Sequence, residues 1–507
     1  MIPAAAHRLP LLVERGRSQL VRPGHRPHPL LHPPVPVLDG ARYGLRPFRL
    51  HLGTLGGGDW VGAMRQQSLM AIGGPGSWKS RGLIVPNVLG WPGPVVAATT
   101  KPDVFRWCHA SRTHRGQVWV FDPRGDAGPL PPGVRRLGWS HLRGCTSDDV
   151  AIQRAEQLGA GCTGAGVENG SFWAGSGRQL IAALLHAAAL WGKPISAVHG
   201  WLAQGDVGEP IQLLERHGVI TLARTLKAMR ADERHLGNVM HQARLMMAPY
   251  RSSVVRAQAD AATRCGFDAV DFLRRPNTLF IVSPSDKDTD LSSLVVGLVE
   301  EVRAAALWLS DRSPTMAVPI PLLLALDETA NISPLPSLDR IVWESRSRDI
   351  VVMCCFQTYG QCEQLFGGLA DGFVFHGGCS LFLGPQGDEH VVERLHELGG
   401  VEWLAQRTTS ATRSSDRLFG HLLPWEATRS RTTSHGWERV PRFTEERIRS
   451  LPRGRAFCRL YEELGVIDVP DFESTEPFAS WARMRPLVDV VPTTALTPSE
   501  EVRDGIA

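Results

Sequence analysis

Long apolar stretches, paired cysteines and net charge are all scarce in this sequence. A membrane-spanning helix needs about 20 consecutive apolar residues, but the longest apolar stretches here are strand-length or lie on amphipathic helices. No secretory leader is recognisable at the start, where prolines interrupt every apolar run. We therefore expect a soluble, cytoplasmic chain without a transmembrane segment.

The nine cysteines show no regular spacing, and none form a Cys-x-x-Cys pair. This pattern excludes a disulfide framework and a zinc-ribbon site, and it predicts reduced core thiols. The formal net charge of +4 is small for 507 residues. It neither indicates nor excludes a nucleic-acid partner, because a nearly neutral protein can still present a basic patch.

Composition and hydrophobic pattern divide the chain into successive segments. Residues 1–60 are rich in proline and arginine and are predicted to form an N-terminal arm. Residues 61–144 and 269–470 are predicted to be the two parts of one α/β domain. The intervening residues 145–268 are predicted to be an all-helical insertion, and residues 471–507 a C-terminal tail.

Short apolar segments recur through the two α/β parts and predict strands. They are apolar on both faces, as expected for strands buried between helices in a mostly parallel sheet. The predicted strands are Ser68–Ile72, Pro94–Ala98, Gln117–Phe121, Thr278–Val282, Pro321–Leu326, Ile350–Phe356 and Ser380–Leu383. Strongly helical patterns follow at Gln179–Leu190, Val219–Ala228, Glu233–Met247 and Leu291–Leu309.

A glycine-rich segment joins the first predicted strand to a helix, which is the context of a phosphate-binding P-loop. The segment consists of Gly73, Gly74, Pro75, Gly76, Ser77, Trp78, Lys79 and Ser80. In a P-loop, backbone N–H groups hold the phosphates. Lys79 is then expected to reach the terminal phosphates, and the Ser80 hydroxyl to bind Mg²⁺. The alternative is an ordinary glycine-rich turn between a strand and a helix.

Trp78 departs from the P-loop pattern, which has glycine immediately before the lysine. Glycine allows the backbone to approach phosphate without a side chain in the way. A tryptophan fits only if its ring points away from the phosphates, so hydrolysis depends on the direction of this ring.

An apolar segment, Pro321–Leu326, ends in the acid pair Asp327 and Glu328. Carboxylates at the end of a buried strand are costly unless a cation lies nearby. This is the Walker B pattern, in which Asp327 helps to hold Mg²⁺ and Glu328 polarises the attacking water. A solvated strand end is the alternative for this pair taken alone.

A later apolar segment, Ile350–Phe356, ends in Gln357. If this strand lies beside the P-loop strand, the Gln357 amide is in place to sense the γ-phosphate by a hydrogen bond.

Together with the sequence around them, these elements resemble the coupling proteins of conjugative type IV secretion systems. The resemblance extends over about residues 65–465 and is to soluble actinobacterial members. It rests on the P-loop and on the segments GLIVPNVL (82–89), PGPVVAATTKPDV (92–104), VWVFDP (118–123), ENGSFW (168–173), LDETANISPLPSL (326–338) and RDIVVMCCFQT (348–358).

The resemblance implies a RecA-like P-loop ATPase domain with an all-α insertion, working with ATP and Mg²⁺ as a homo-hexamer. It implies DNA, a relaxase or other secretion substrate, and type IV secretion components as partners. A neighbouring subunit would supply an arginine finger, for which Arg346 is the candidate and Arg348 the second choice; a solvated basic turn is the alternative. The membrane helices usual in the family are not found, so we expect partners to provide any docking at the inner face of the membrane.

The sequence therefore predicts an ATP-dependent DNA translocase of conjugation. Two alternatives stay open: a nucleotide-binding or structural adaptor whose hydrolysis Trp78 has disabled, and a P-loop motor for another cargo.

Overall fold

The computed structural model describes residues 45–56, 58–159, 170–264, 266–284, 291–332, 338–344, 346–413 and 429–487. The described residues form two compact units. The larger unit includes the chain up to Leu383 and again from Arg453 onward, and the smaller unit spans Gly384–Pro452.

The strands are numbered here in chain order. They are β1 His51–Leu55, β2 Asp59–Gly62, β3 Leu69–Ile72, β4 Val95–Thr99, β5 Val118–Phe121, β6 Val134–Arg136, β7 Thr278–Val282, β8 Leu322–Leu326, β9 Ile350–Phe356, β10 Cys379–Leu383, β11 Val401–Arg413, β12 Arg429–Pro441, β13 Arg455–Leu460 and β14 Glu463–Asp468.

The α-helices are numbered in the same way. They are α1 Val85–Gly90, α2 Asp103–Thr113, α3 Asp148–Gly159, α4 Gly170–Leu190, α5 Ile195–Gln204, α6 Gly208–Arg216, α7 Ile220–Ala231, α8 Glu233–Met246, α9 Ser253–Asp260, α10 Ala269–Leu273, α11 Ser292–Asp311, α12 Thr329–Ile332, α13 Leu338–Glu344, α14 Tyr359–Phe366, α15 Ala370–His376, α16 Glu389–Gly399, α17 Glu445–Arg449 and α18 Phe478–Ala482.

One sheet organises the larger unit. Its strand order within the described residues is β2-β1-β14-β13-β10-β3-β9-β8-β4-β7-β5-β6. From β10 to β6 neighbouring strands are parallel. From β10 to β2 they are antiparallel, so β13 and β14 from the end of the chain and β1 and β2 from its start extend the parallel sheet.

The central strands are buried on both faces, as their apolar pattern predicts. Every residue of β3, β4, β7, β8, β9 and β10 is buried. On β4, Val95 and Ala97 pack in the core formed with α1 and α2, while Val96 and Ala98 are buried on the opposite face. A strand covered on both faces needs no polar alternation, so it is encoded as a continuous apolar run. The seven predicted strands agree with observed strands to within a residue at each end.

The described residues between β6 and β7 form α3 to α10 with short 3₁₀ turns. α4, the longest of these helices, contains the predicted segment Gln179–Leu190. Among the described residues, no helix is both long enough and apolar enough to cross a membrane.

The predicted arm and tail are both too long. β1 and β2 pair antiparallel at the edge of the described sheet, and Asn87 of α1 accepts from the backbone N–H of His51 at 2.7 Å. At the other end, Phe472, Phe478 and Trp481 are buried in the core with α1 and α2. Both segments are short, and each follows a proline, Pro47 or Pro470, so local composition did not distinguish them from linkers. The other predicted domain boundaries stay predictions.

The smaller unit was not expected as a separate body. It consists of α16, the hairpin β11–β12 with thirteen residue pairs, and α17. The hairpin strands are rich in Thr, Ser and Arg and lack the apolar runs of the main sheet, so the strand criterion that succeeded elsewhere missed them.

The fully buried side chain of Arg112 connects α2 with β7 and with the loop before β4. Arg112 at the end of α2 donates to the carbonyls of Trp91 and Gly93 at 2.5 and 2.8 Å, and to Thr278 Oγ1 of β7 at 2.6 Å. These carbonyls lie in the loop that leads into β4. Without the guanidinium they would be buried and unpaired.

We expect Arg112→Met to lower the free energy of unfolding by about 3 kcal/mol, because methionine fills similar space without donors and leaves several buried carbonyls unsatisfied. Urea denaturation followed by circular dichroism measures this change. Arg106→Met, on the exposed face of the same helix, is the matched control and should be nearly neutral. Equal stabilities of the two variants would contradict the role given to Arg112.

Candidate functional site

The predicted site residues follow three adjacent parallel strands. In the sheet, β9 lies between β3 and β8, with Ile72 paired with Phe356 and Leu326 paired with Cys354. Gly73, Gln357 and Asp327 directly follow these strands, so all three begin at the same carboxyl edge. The carboxyl edge of a parallel sheet is where ligands bind in open α/β folds.

The glycine-rich segment forms a tight loop anchored on its neighbours. Gly73 N donates to Phe356 O of β9 at 3.1 Å, and Ser77 N donates to Gly74 O at 3.2 Å. A side chain at position 73 would clash, because a Cβ there would lie 2.6 Å from Ser77 Oγ. Gly76 has a φ of +74°, which glycine adopts without strain. Pro75 and Gly76 are exposed at the tip of the loop.

Lys79 folds back over this loop. Its ammonium group is buried and donates to the carbonyls of Gly73 and Gly74, the latter at 3.1 Å, with Ser77 Oγ at 3.4 Å. These oxygens are the acceptors that the loop itself offers to a cation. A phosphate held by the loop would be a stronger acceptor for the same ammonium group.

Trp78 stands in the left-handed conformation, with φ 67° and ψ 22°. A glycine adopts this conformation freely, whereas a bulky residue pays about 1–3 kcal/mol. The indole is 37% exposed. Its Cζ3 atom lies 3.0 Å from the position that a Cβ would take at Gly454, just before β13. The ring therefore lies against the backbone of that turn.

Ser80 and Asp327 join the P-loop to β8. Ser80 Oγ donates to Asp327 Oδ2 at 2.6 Å. The second oxygen, Oδ1, is buried and has no hydrogen-bond partner among the described residues. Burial raises the pKa of Asp327, while the Ser80 hydrogen bond and the charge of Lys79 oppose that rise. A buried, unpaired carboxylate oxygen beside a serine hydroxyl fits a hard divalent cation such as Mg²⁺.

Glu328 and Gln357 also lie at the carboxyl edge of the sheet. Neither side chain makes a hydrogen bond within the described part of the chain, and both residues are half-buried. Glu328 has a φ of 55°, a strained conformation for a non-glycine residue that is common at functional sites. The Gln357 backbone N–H donates to Gln361 Oε1 at 2.8 Å, which fixes the start of α14.

Arg346 lies at the amino ends of the parallel strands, opposite the carboxyl edge that carries the other predicted site residues. It precedes the amino end of β9, which is seven residues long, so it is roughly 20 Å from the Gln357 end of that strand. Its side chain is exposed and donates to the Tyr461 hydroxyl at 3.0 Å. Arg348, the second choice, pairs with Asp311 and donates to Ser310 Oγ at 2.5 Å. Within the described residues, Arg346 thus has no carboxylate partner, whereas Arg348 has one.

Sequence reasoning missed a cluster that holds the turn after the P-loop. Arg81 donates to Asp471 at 2.6 and 2.9 Å and to Glu473 at 2.6 Å. Its guanidinium also lies near the rings of Trp107 and Phe472, about 5 Å from each centroid. The partners are 390 residues apart in sequence, and no local pattern links them.

Several residues of the resemblance lie outside the described residues. These are Glu168 and Asn169 of the ENGSFW segment, residues 333–337 after the acid pair, and Ser345 before Arg346.

Two family models match the chain. Residues 38–191 match "Type IV secretory system Conjugative DNA transfer", and residues 321–453 match "TraM recognition site of TraD and TraG". The two segments together make up more than half of the chain. No curated protein matches it at significant similarity.

The fold is that of solved coupling-protein structures. The unbound form of the bacterial conjugative coupling protein TrwB is 18% identical, with 83% of this chain and 93% of that chain covered and a TM-score of 0.59. The complex of TrwB with the GTP analogue GDPNP is also 18% identical, covering 84% and 96%, with a TM-score of 0.57. The complex with the ATP analogue ADPNP is 16% identical, covering 80% and 86%, with a TM-score of 0.55.

These likenesses confirm the predicted α/β class and the RecA-like P-loop architecture. One segment matches a model of conjugative DNA transfer, a second matches a model of the TraM recognition site of TraD and TraG, and the fold of the chain resembles that of TrwB. The chain therefore belongs to the coupling protein family of conjugative type IV secretion systems.

Proposed function

We propose that the protein binds Mg-ATP at the carboxyl edge of β3, β9 and β8 and hydrolyses it to move DNA during conjugation. The observation that best supports this proposal is the Ser80–Asp327 hydrogen bond beside the unpaired, buried Asp327 Oδ1. TrwB, which shares the fold, has been crystallised with ADPNP and with ADP and Mg²⁺.

Each residue of the edge has a distinct role in this proposal. Backbone N–H groups of the loop, among them those of Gly76 and Lys79, surround the phosphates, and Lys79 exchanges the loop carbonyls for phosphate oxygens. Ser80 and Asp327 hold Mg²⁺ or its water shell. When bound, Mg²⁺ neutralises the charge that develops on the phosphates.

The two uncommitted side chains act on the attacking water and on the γ-phosphate. Glu328 lies next to the metal-binding carboxylate and accepts a hydrogen bond from the water, which orients and polarises it. Gln357, on the strand between the P-loop and the acid pair, donates its amide to a phosphate oxygen. Neither side chain has another hydrogen-bond partner within the described residues, so both are free for these contacts.

Arg346 acts on the site of a neighbouring subunit. It is exposed, and about the length of β9 separates it from the Gln357 end of that strand. An arginine in this position reaches a nucleotide only if a second subunit packs against its edge of the sheet. This arrangement supports a ring with ATP sites between subunits, which for this family we propose to be a homo-hexamer.

Family membership supports the proposed partners. The model matching residues 321–453 describes a TraM recognition site in TraD and TraG. We propose that the corresponding region of this chain receives a relaxase or other component bound to the transferred DNA. Within this proposal, secretion-system proteins bring the chain to the inner face of the membrane.

A hydrolysis-deficient adaptor is the second candidate, favoured by one observation. Trp78 occupies a left-handed position that glycine fills in the P-loop pattern. In the adaptor, the indole or the strain it imposes prevents productive phosphate binding. The contact of the ring with Gly454 argues for the motor, because it gives the indole a place against the neighbouring turn.

We expect Lys79→Ala to weaken Mg-ATP binding and to lower hydrolysis at least about 100-fold, since the ammonium group is the only side-chain cation on the loop and stabilises charge in the transition state. Phosphate release and nucleotide-dependent thermal shift measure the two effects. Lys227→Ala on α7, whose partner is Glu215, is the control and should behave like the wild type. An undiminished thermal shift with ATP in Lys79→Ala would place the site elsewhere.

Glu328→Gln should separate binding from hydrolysis. The amide keeps the size of the side chain but no longer polarises water, so we expect turnover to fall about 100-fold or more with nucleotide affinity retained. Single-turnover phosphate release and equilibrium binding test this expectation, with Glu344→Gln on α13 as the exposed control. Equal loss of affinity and turnover would show that Glu328 has a structural role only.

Trp78→Gly tests the motor against the adaptor. We expect the wild type to hydrolyse ATP, with stimulation by DNA, and the glycine variant to differ from it less than tenfold in turnover at saturating ATP, because the ring lies on Gly454. Turnover with and without single- and double-stranded DNA gives the comparison. An inactive wild type that gains activity as Trp78→Gly would establish the adaptor instead.

A further inference from the structure

Two residues just before β13 lie against the P-loop, and the site described so far does not use them. The Arg453 guanidinium is 3.8 Å, measured at Cζ, from the position that a Cβ would take at Gly76. Both of its terminal nitrogens are 3.9 Å from the same position. The next residue, Gly454, meets the indole of Trp78. One turn thus contacts the tip of the loop and the residue before its lysine.

The backbone on both sides holds this turn in place. Val469 N, just after β14, donates to Gly454 O at 2.7 Å. β13 pairs with β10, which pairs with the P-loop strand β3. Val469 also packs so closely on Gly82 that a Cβ there would lie 2.6 Å from Val469 Cγ1. The position of Arg453 relative to the loop is therefore set by the sheet and by tight packing.

The charged side chain of Arg453 is exposed. Within the described residues it makes no hydrogen bond and no ion pair. Arg455, two residues later and also exposed, pairs with Asp468 at 3.0 Å. Arg455 is thus paired with a carboxylate, whereas Arg453 lies beside Gly76 without an acidic partner in the described part of the chain.

The position of Arg453 beside the tip of the P-loop suits it to bind phosphate. The N–H groups of a P-loop surround the phosphates of a nucleotide, so a guanidinium at the tip of the loop faces the same anion. Arginine offers a planar pair of donors that suits two phosphate oxygens at once. A side chain without an acidic partner keeps these donors available.

Trp78 and Gly454 explain how the arginine is kept there. The indole fills the space over Gly454 that any side chain at that position would occupy, and Gly454 has a φ of +78°. The residue that replaces glycine in the P-loop is therefore also the residue that joins the loop to the turn of Arg453.

We propose that Arg453 binds the phosphates of the nucleotide held by its own subunit's P-loop, and that the packing of Trp78 on Gly454 positions it. This inference rests on the proposed function, because it assumes that the loop holds a nucleoside triphosphate. It adds a second cation, from the end of the chain, to the ammonium group of Lys79.

The test is the dissociation constant of the ATP analogue ADPNP with Mg²⁺, measured by calorimetry on the full chain. We expect Arg453→Gln to weaken binding about tenfold or more, because a charge-assisted contact to phosphate is lost. Arg453→Lys should recover part of this loss, and Arg455→Gln should bind as the wild type does. Melting temperatures without nucleotide should agree among all of them, since both side chains are exposed.

A double-mutant cycle tests the positioning by Trp78. Trp78→Ala should weaken binding in the wild-type background and much less in Arg453→Gln, because both changes remove the same contact. Additive effects would overturn the positioning role. Tight binding by the wild type with unchanged affinity in Arg453→Gln would overturn the inference but leave the proposed function intact. Absence of ADPNP binding by the wild type would overturn both the inference and the proposed function.

Discussion

The hydrogen bond from Ser80 to Asp327 is the contact on which the site depends. It joins the end of the P-loop to the end of β8 across the intervening strand β9, at 2.6 Å. The bond satisfies only one carboxylate oxygen, and the other stays buried without a partner among the described residues. A buried carboxylate oxygen is unfavourable without a partner and favourable beside a divalent cation. In the proposed function, the metal that accompanies the nucleotide phosphates offsets this local cost.

The rest of the larger unit keeps that edge in place. Buried parallel strands fix the relative heights of Gly73, Gln357 and Asp327, because hydrogen-bond register leaves a strand no freedom to slide. The end of the chain then closes around the P-loop. Asp471 and Glu473 hold Arg81, Val469 packs on Gly82, and the turn of Arg453 lies over the tip. Asp471 and Glu473, which belong to the predicted C-terminal tail, thus contact the residue that follows Ser80.

Trp78 shows how a departure from a motif is accommodated. The left-handed backbone at this position favours glycine, and the tryptophan keeps that conformation at a cost of about 1–3 kcal/mol. Burial of part of a large aromatic ring against Gly454 offsets such a cost. The space for the ring exists because position 454 has no side chain. A residue in the loop and a residue 376 positions later thus form one steric unit.

The sequence alone determined the α/β class, seven strands and the residues that end three of them, because doubly buried strands need continuous apolar runs and a P-loop needs its glycines and lysine together. It did not determine which strands are neighbours, nor the polar hairpin β11–β12, whose residues lack an apolar pattern. Only the tertiary structure decided that Trp78 rests on Gly454 and that Arg453 lies beside Gly76. Those contacts join residues hundreds of positions apart, and pairing at such distance leaves no trace in local composition or periodicity.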